Sequence, residues 1–281
     1  MPGIFLTKKN NIMKDIYEYI DRNVEEYVSD LQSLIKKPSV SAQNIGLEEC
    51  ANFVKDAMHK DNLPAELYEI PGGPPLIFGH LKNPNSKKTL LCYSHYDVQP
   101  PEPIEKWTHG GPWSGALVNN VIYGRGATDN KGGLLAFNKA AKAFLKIRGE
   151  VPINLKFFYE GEEEIGSVHL GPWVEKNKDL IKADAMHCLD GTVDSFAKVP
   201  EVELGLKSVL FIELIARGGK KDIHSLNFPL VPSPPWELVH ALSTIMDRNR
   251  RILIKDWYEG LYELGEEEIN LINEKNERVD L

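Results

Sequence analysis

From Ile16 to Leu189 the chain alternates short apolar runs of strand length with stretches whose apolar side chains recur at helical spacing. That alternation constrains the fold more than any other feature. Strands that alternate with helices pack as a mostly parallel sheet sandwiched by helices, an α/β architecture. Ile16, Ile20, Val24, Val28, Leu31 and Ile35 recur at steps of three or four, which predicts one amphipathic helix ended by Pro38. A second helical pattern runs through Leu47, Cys50, Phe53, Val54 and Ala57. Residues 65–70, 76–81 and 89–93 read as strands separated by Pro/Gly or Asn/Ser turns.

Residues 100–128 are rich in Gly, Pro and Trp and read as a long structured loop. A helix is expected over 131–148, a strand over 153–159, a short helix near 170–177 and a strand over 185–189. The character changes near Pro200, where a domain boundary is placed. Beyond it, 206–216 reads as a strand and 236–246 as a helix.

Charge narrows the function. Lys and Arg total 33 against 41 Asp and Glu, a formal charge of −8. Nucleic-acid binding needs a basic footprint, so that class is set aside. Cys50, Cys92 and Cys188 are far apart and fit no zinc-ribbon spacing, which points to buried thiols in a reducing compartment. Lys8 and Lys9 lie near the start, but no apolar stretch there has the length of a signal peptide or membrane span. The expectation is a cytoplasmic protein with no membrane partner.

Four segments carry chemistry. They are Ser94-His95-Tyr96-Asp97, the run from Gly124 to Gly132, Glu160-Gly161-Glu162-Glu163-Glu164-Ile165-Gly166-Ser167, and Leu189-Asp190. Each is expected at or just past the carboxyl end of a strand, where α/β folds bind ligands. His95, Asp129, Glu163, Glu164 and Asp190 would then converge. Imidazole and carboxylate suit zinc, and a bridging carboxylate can hold two ions about 3.5–4 Å apart. His95 and Asp97 are two apart, so on an extended chain they point the same way, and Asp97 can fix the imidazole tautomer.

Each segment has a plainer reading in isolation. A His-x-Asp can be a hydrogen-bonded turn, and Asp129 or Asn130 can cap the following helix. The glutamate run can be a solvated loop, as Glu266-Glu267-Glu268 in the tail is expected to be a solvated helix face. Glycines 124, 126, 132 and 133 lack the GK[ST] ending of a phosphate loop.

Taken together, three segments resemble the signature segments of the aminoacylase/carnosinase/glutamate carboxypeptidase family of two-metal hydrolases, in matching order and separation. They are His95-Tyr96-Asp97-Val98, Gly124-Arg125-Gly126-Ala127-Thr128-Asp129-Asn130-Lys131-Gly132 and Glu163-Glu164-Ile165-Gly166-Ser167. The loop from Trp107 to Tyr123 is similar too, and so is Asp222-Ile223-His224-Ser225, where the family reads Asp-Leu-His-Ser-Gly. The resemblance covers roughly residues 15–250.

It implies that residues 1–202 are the N-terminal part of the catalytic domain and 203–281 part of a smaller α+β lid or dimerisation domain. His95 and Asp190 would bind the first metal, Asp129 would bridge, and Glu164 would bind the second. Asp97 would orient His95, Glu163 would act as general base and acid, and His224 would stabilise the oxyanion. The Asp129–Asn130 peptide would be cis. Two divalent ions are implied, zinc first, with cobalt or manganese compatible. The substrates implied are small peptides or acyl-amino acids.

Nothing after Asp222 matches the family segment that supplies the second metal's histidine. The expectation is therefore a chain lacking a C-terminal part, with an incomplete second site. Its partner would be a second copy, through the small domain, or a separately encoded C-terminal half. The alternative is a catalytically incompetent fragment that keeps a residual metal site and serves as a binding or dimerisation module.

Overall fold

The computed structural model describes residues 5–190, 209–221 and 224–276. They fall into two compact units, one up to residue 190 and one from residue 209 onward. The first unit runs α1 (Phe5–Arg22), α2 (Val24–Ile35), α3 (Leu47–Lys60), β1 (Glu66–Tyr68), β2 (Leu76–Leu81) and β3 (Thr89–His95). It continues through β4 (Ala116–Val118), β5 (Val121–Tyr123), α4 (Lys131–Arg148), β6 (Asn154–Glu160), α5 (Leu170–Lys176), α6 (Lys178–Ile181) and β7 (Ala185–Cys188).

Five strands form one sheet in the order β1-β2-β6-β3-β7. The pairs β6–β3 and β3–β7 are parallel, while β2 is antiparallel to both its neighbours. Within this sheet β2 therefore runs against the other four, so the sheet is mostly parallel, as the alternation predicts.

The strand alternation sorts side chains to two faces. Ile77, Cys92, Phe157 and Tyr159 pack with Leu34, Leu47, Val54, Met58 and Leu134 from α2, α3 and α4. Their neighbours Leu76, Phe78, Leu91 and Phe158 pack with Trp173 of α5, with Leu180 of α6 against them. Because both faces are covered, the central strands carry consecutive apolar residues, Leu76–Phe78, Leu90–Cys92 and Phe157–Tyr159, rather than a strict alternation with polar ones.

The helical stretch expected over 16–35 is two helices. Asn23 leaves helical geometry (φ −112°, ψ 13°), and its side-chain amide donates to Tyr19 O at 2.6 Å. An amide that bonds the backbone locally offers it an alternative to the next helical turn. The loop expected over 100–128 contains the β4–β5 hairpin. Its turn is Asn119-Asn120, both at positive φ (50° and 62°), which a two-residue hairpin turn requires.

In the second unit, α7 spans Pro234–Ile245 and α8 spans Glu266–Asn276. Glu266 and Glu267 sit exposed in the first turn of α8, and Glu268 is half-buried there, its Oε2 accepting from Gly265 N–H. The strand expected over 206–216 is not formed at 209–216, and 206–208 lie outside the described residues. A strand exists only through a partner, and among the described residues none pairs with this run. No described helix is long and apolar enough to cross a membrane.

A buried charge network ties the helices together. Lys139 Nζ of α4 lies 2.5 Å from Asp30 and 2.6 Å from Asp61, and Lys142 Nζ lies 2.8 Å from Asp61 and 2.6 Å from Glu26. Asp61 is 4% exposed. Removing one partner from such a network leaves uncompensated buried charge. Asp61→Ala is expected to lower unfolding free energy by about 3 kcal/mol. The exposed Lys60→Ala should change it by about 0.5 kcal/mol or less. Urea unfolding followed by far-ultraviolet circular dichroism measures both.

Candidate active site

Strand register sets the site. His95 at the end of β3 pairs with Glu160 at the end of β6. Cys188 at the end of β7 pairs with Tyr93, so Asp190, two residues further on, comes level with His95. Asp129 does not follow a strand of the main sheet, contrary to the sequence reading. It lies in the turn between the β4–β5 hairpin and α4.

Two glycines bring that turn in. A Cβ on Gly126 (φ 82°) would sit 2.7 Å from Val98 Cγ1, and one on Gly133 would sit 2.2 Å from Leu189 O. The start of α4 can therefore lie directly against the chain leading to Asp190. Lys131, fully buried, donates from Nζ to Leu34 O and Lys37 O and so fastens the turn to the carboxyl end of α2. The Asp129–Asn130 peptide is cis.

The structure brings His95, Asp129, Asp190 and Glu163 together. His95 Nε2 lies 3.2 Å from Asp129 Oδ1, 3.5 Å from Asp190 Oδ2 and 3.8 Å from Glu163 Oε2. His95 is wholly buried and its Nε2 has no hydrogen-bond partner. One ligand atom from each of His95, Asp129 and Asp190 lies within 4.8 Å of the others.

Two unit negative charges about 4 Å apart repel by about 4 kcal/mol at an effective dielectric of 20. An orphaned imidazole nitrogen faced by converging carboxylates suits a divalent cation, which satisfies the nitrogen and offsets the repulsion. Burial disfavours a charged imidazole, but the carboxylates of Asp190 and Asp97 outweigh it and push His95 up to about 11. Without a cation, a proton takes that role; ligation requires that the proton leave. Burial also raises the Glu163 carboxyl above its ordinary value, with Asp190 adding to it and His95 opposing.

Asp97 touches both His95 and the turn after β6. His95 Nδ1 hydrogen-bonds the Asp97 main-chain oxygen at 3.1 Å, with the carboxylate Oδ1 at 3.3 Å. The two carboxylate oxygens accept from Glu163 N–H (3.2 Å) and Glu164 N–H (3.1 Å). Glu160, which the sequence reading passed over, braces the same turn. Its Oε1 accepts from Tyr93 OH at 2.7 Å and Ser167 Oγ at 2.8 Å.

Glu164 does not join the three-residue cluster. Gln99 holds it instead, donating from the main-chain N to Oε1 and from the amide to Oε2. The alternation that aligns His95 with Asp97 extends to Gln99 and could have flagged it. His224 belongs to the second unit, exposed, with its Nδ1 accepting from Leu226 N–H at 3.2 Å; Asp222 and Ile223 lie outside the described residues. Cys50 and Cys92 are buried free thiols and Cys188 an exposed one.

Fold and site thus define an α/β sandwich with an imidazole–carboxylate cluster fit for a divalent cation at the carboxyl ends of its strands. The family model described as peptidase family M20/M25/M40 matches residues 91–268. The chain belongs to that family.

The Cys-Gly metallodipeptidase dug1 of Schizosaccharomyces pombe is 33% identical over 85% of this chain and 53% of its own length. The Beta-Ala-His dipeptidase of Homo sapiens is 31% identical over 92% of this chain and 54% of its own length. Among solved structures, the M20 family metallo-carboxypeptidase Sso-CP2 from Sulfolobus solfataricus superposes with a TM-score of 0.77 at 39% identity. That match covers 89% of this chain and 56% of that one. The chain spans about half the length of the curated relatives it matches.

The cluster makes a direct prediction. His95→Ala should lose tightly bound zinc, while Glu163→Ala should retain it, because Glu163 stands beside the three ligating groups rather than among them. Metal content per chain after desalting, measured by plasma mass spectrometry, checks this.

Proposed function

We propose that this chain is the metal-binding part of a hydrolase that cleaves amide bonds in dipeptides, C-terminal peptide bonds or N-acyl-amino acids. One observation carries the reading: the buried, unpartnered Nε2 of His95 faces Asp129 and Asp190, with the Glu163 carboxylate 3.8 Å away. His95, Asp129 and Asp190 would hold a first divalent cation, and Asp129 with Glu164 a second. Zinc suits the imidazole–carboxylate set, and cobalt or manganese are compatible. Bound cations supply Lewis-acid polarisation of the scissile carbonyl and lower the pKa of water.

The chain's own residues do the rest. Glu163 would take the proton of the attacking water and return one to the leaving amine; burial raises its carboxyl, which makes it a better proton acceptor than an exposed glutamate. Asp97 holds the main chain of both glutamates, so the base and the second ligand move as one piece. His224, from the second unit, is assigned to the oxyanion that forms as the carbonyl becomes tetrahedral. The partner in this reading would be a second copy of the chain.

A second reading is a metal-binding module without turnover by itself. It is favoured by the second cation's ligands: among the described residues no imidazole joins Asp129 and Glu164 in a group of three. Two carboxylates and water make a weak site. The 281-residue chain alone should therefore turn over slowly and speed up when a C-terminal half is added.

The test is a substrate panel, including Cys-Gly and β-Ala-His named for the relatives, and N-acyl-amino acids, assayed with zinc, cobalt or manganese. Glu163→Ala should cut turnover by about 10²–10⁴-fold with metal content unchanged. Equal turnover in Glu163→Ala and the natural chain would overturn the reading. Fast turnover by the chain alone would remove the need for a partner half.

A further inference from the structure

Gln99 spends its entire side-chain donor capacity on one residue. Its amide nitrogen lies 2.8 Å from Glu164 Oε2 and 3.1 Å from Glu164 O, and its main-chain N–H donates to Glu164 Oε1 at 3.2 Å. Both carboxylate oxygens are thus held by the same residue. Each carboxylate oxygen has two acceptor positions, so one hydrogen bond to each leaves both able to bind a cation.

The clasp is preset from its own side of the chain. Gln99 precedes Pro100, which biases its backbone to extended conformations before any contact with Glu164 forms. Pro100 O is in turn held by Arg125 Nη2 at 3.2 Å, and the Arg125 guanidinium stacks over Trp107 at 5.4 Å. Trp107 Nε1 donates to Pro101 O at 2.6 Å. Gln99 itself is exposed, so it contributes little to the core.

We propose that Gln99 is a positioning residue for the second cation: it fixes the carboxylate of Glu164, the residue assigned with Asp129 to that cation. This rests on the two-cation reading given above. The first cation's ligands, His95, Asp129 and Asp190, take no hydrogen bond from Gln99, so the two cations should respond differently to its loss. Partners that orient ligating groups are typically worth about 10–100-fold in metal affinity.

The experiment is calorimetric titration of the metal-free 281-residue chain with Zn2+, repeated with Co2+ and its visible spectrum. The variants are Gln99→Met, which keeps the side-chain length and removes the amide, Gln99→Ala, and Glu164→Ala as the reference for a lost second ligand. The expected result is an unchanged first binding event and a second weakened about 10–100-fold in both Gln99 variants. Glu164→Ala should lose the second event altogether.

Unchanged binding of both cations in the Gln99 variants would overturn the proposal. So would parallel weakening of both, which is the mark of a general structural role, and so would two cations retained by Glu164→Ala. A natural chain that takes a single cation even at millimolar metal would overturn the role of Gln99 and leave the first site standing. A chain that takes none would overturn the metal reading itself.

Discussion

The buried carboxylate of Asp97 is the interaction on which the site depends. It lies against the His95 ring and accepts the main-chain N–H groups of Glu163 and Glu164. Charge-assisted bonds of this kind are among the stronger hydrogen bonds a protein makes, and the carboxylate that accepts these two is fully buried. One side chain thereby couples the end of β3 to the turn after β6. Neither the ligand nor the base can shift without disturbing the other.

The sheet makes that coupling possible. Parallel pairing of β3 with β6 and β7 brings three strand ends to one edge at matched height. The fourth contribution, Asp129, comes from outside the sheet. It reaches the edge because Gly126 and Gly133 leave room for Val98 and Leu189 O, and because Lys131 is bonded to the last carbonyls of α2. A cation on a helix-terminal carbonyl is favourable in itself, and these bonds fasten the turn, while burial still draws the Lys131 amine below its ordinary range.

The arrangement also places charge where it costs most. Three carboxylates lie within 3.8 Å of one imidazole nitrogen at the edge of an apolar core. Elsewhere the chain meets buried charge with a partner, as in the Lys139–Asp61–Lys142 network. At the site no Lys or Arg side chain is ion-paired to Asp129, Glu163 or Asp190 among the described residues. Carboxylates and an imidazole gathered in this way form a donor set of the kind that suits a divalent cation.

Much of this was legible in the sequence, because it follows from local rules. Period-two and period-3.6 patterning located the five strands of the sheet and most helices. The spacing of His95 and Asp97 and the acidic ends of strand-like runs located His95, Glu163 and Asp190, since a residue at a strand's carboxyl end goes where the strand takes it. The break at Asn23 and the Asn119-Asn120 hairpin were written in local side-chain chemistry as well, but in signals weaker than the apolar period that masked them.

What the tertiary structure alone decided was partnership across the chain. No pattern in the sequence says that the Asp97 carboxylate takes the amides of Glu163 and Glu164, that Gln99 clasps Glu164 away from the three-residue cluster, or that Lys131 finds the end of α2. The run at 209–216 shows the reverse case: its composition favours a strand, but composition supplies no neighbour, and without one no ladder forms. The sequence by itself determined which groups stand ready at which ends. Which of them meet was decided by strand register and by two close backbone approaches, because hydrogen bonds and ligation act over about 3 Å, while the residues concerned lie tens of positions apart along the chain.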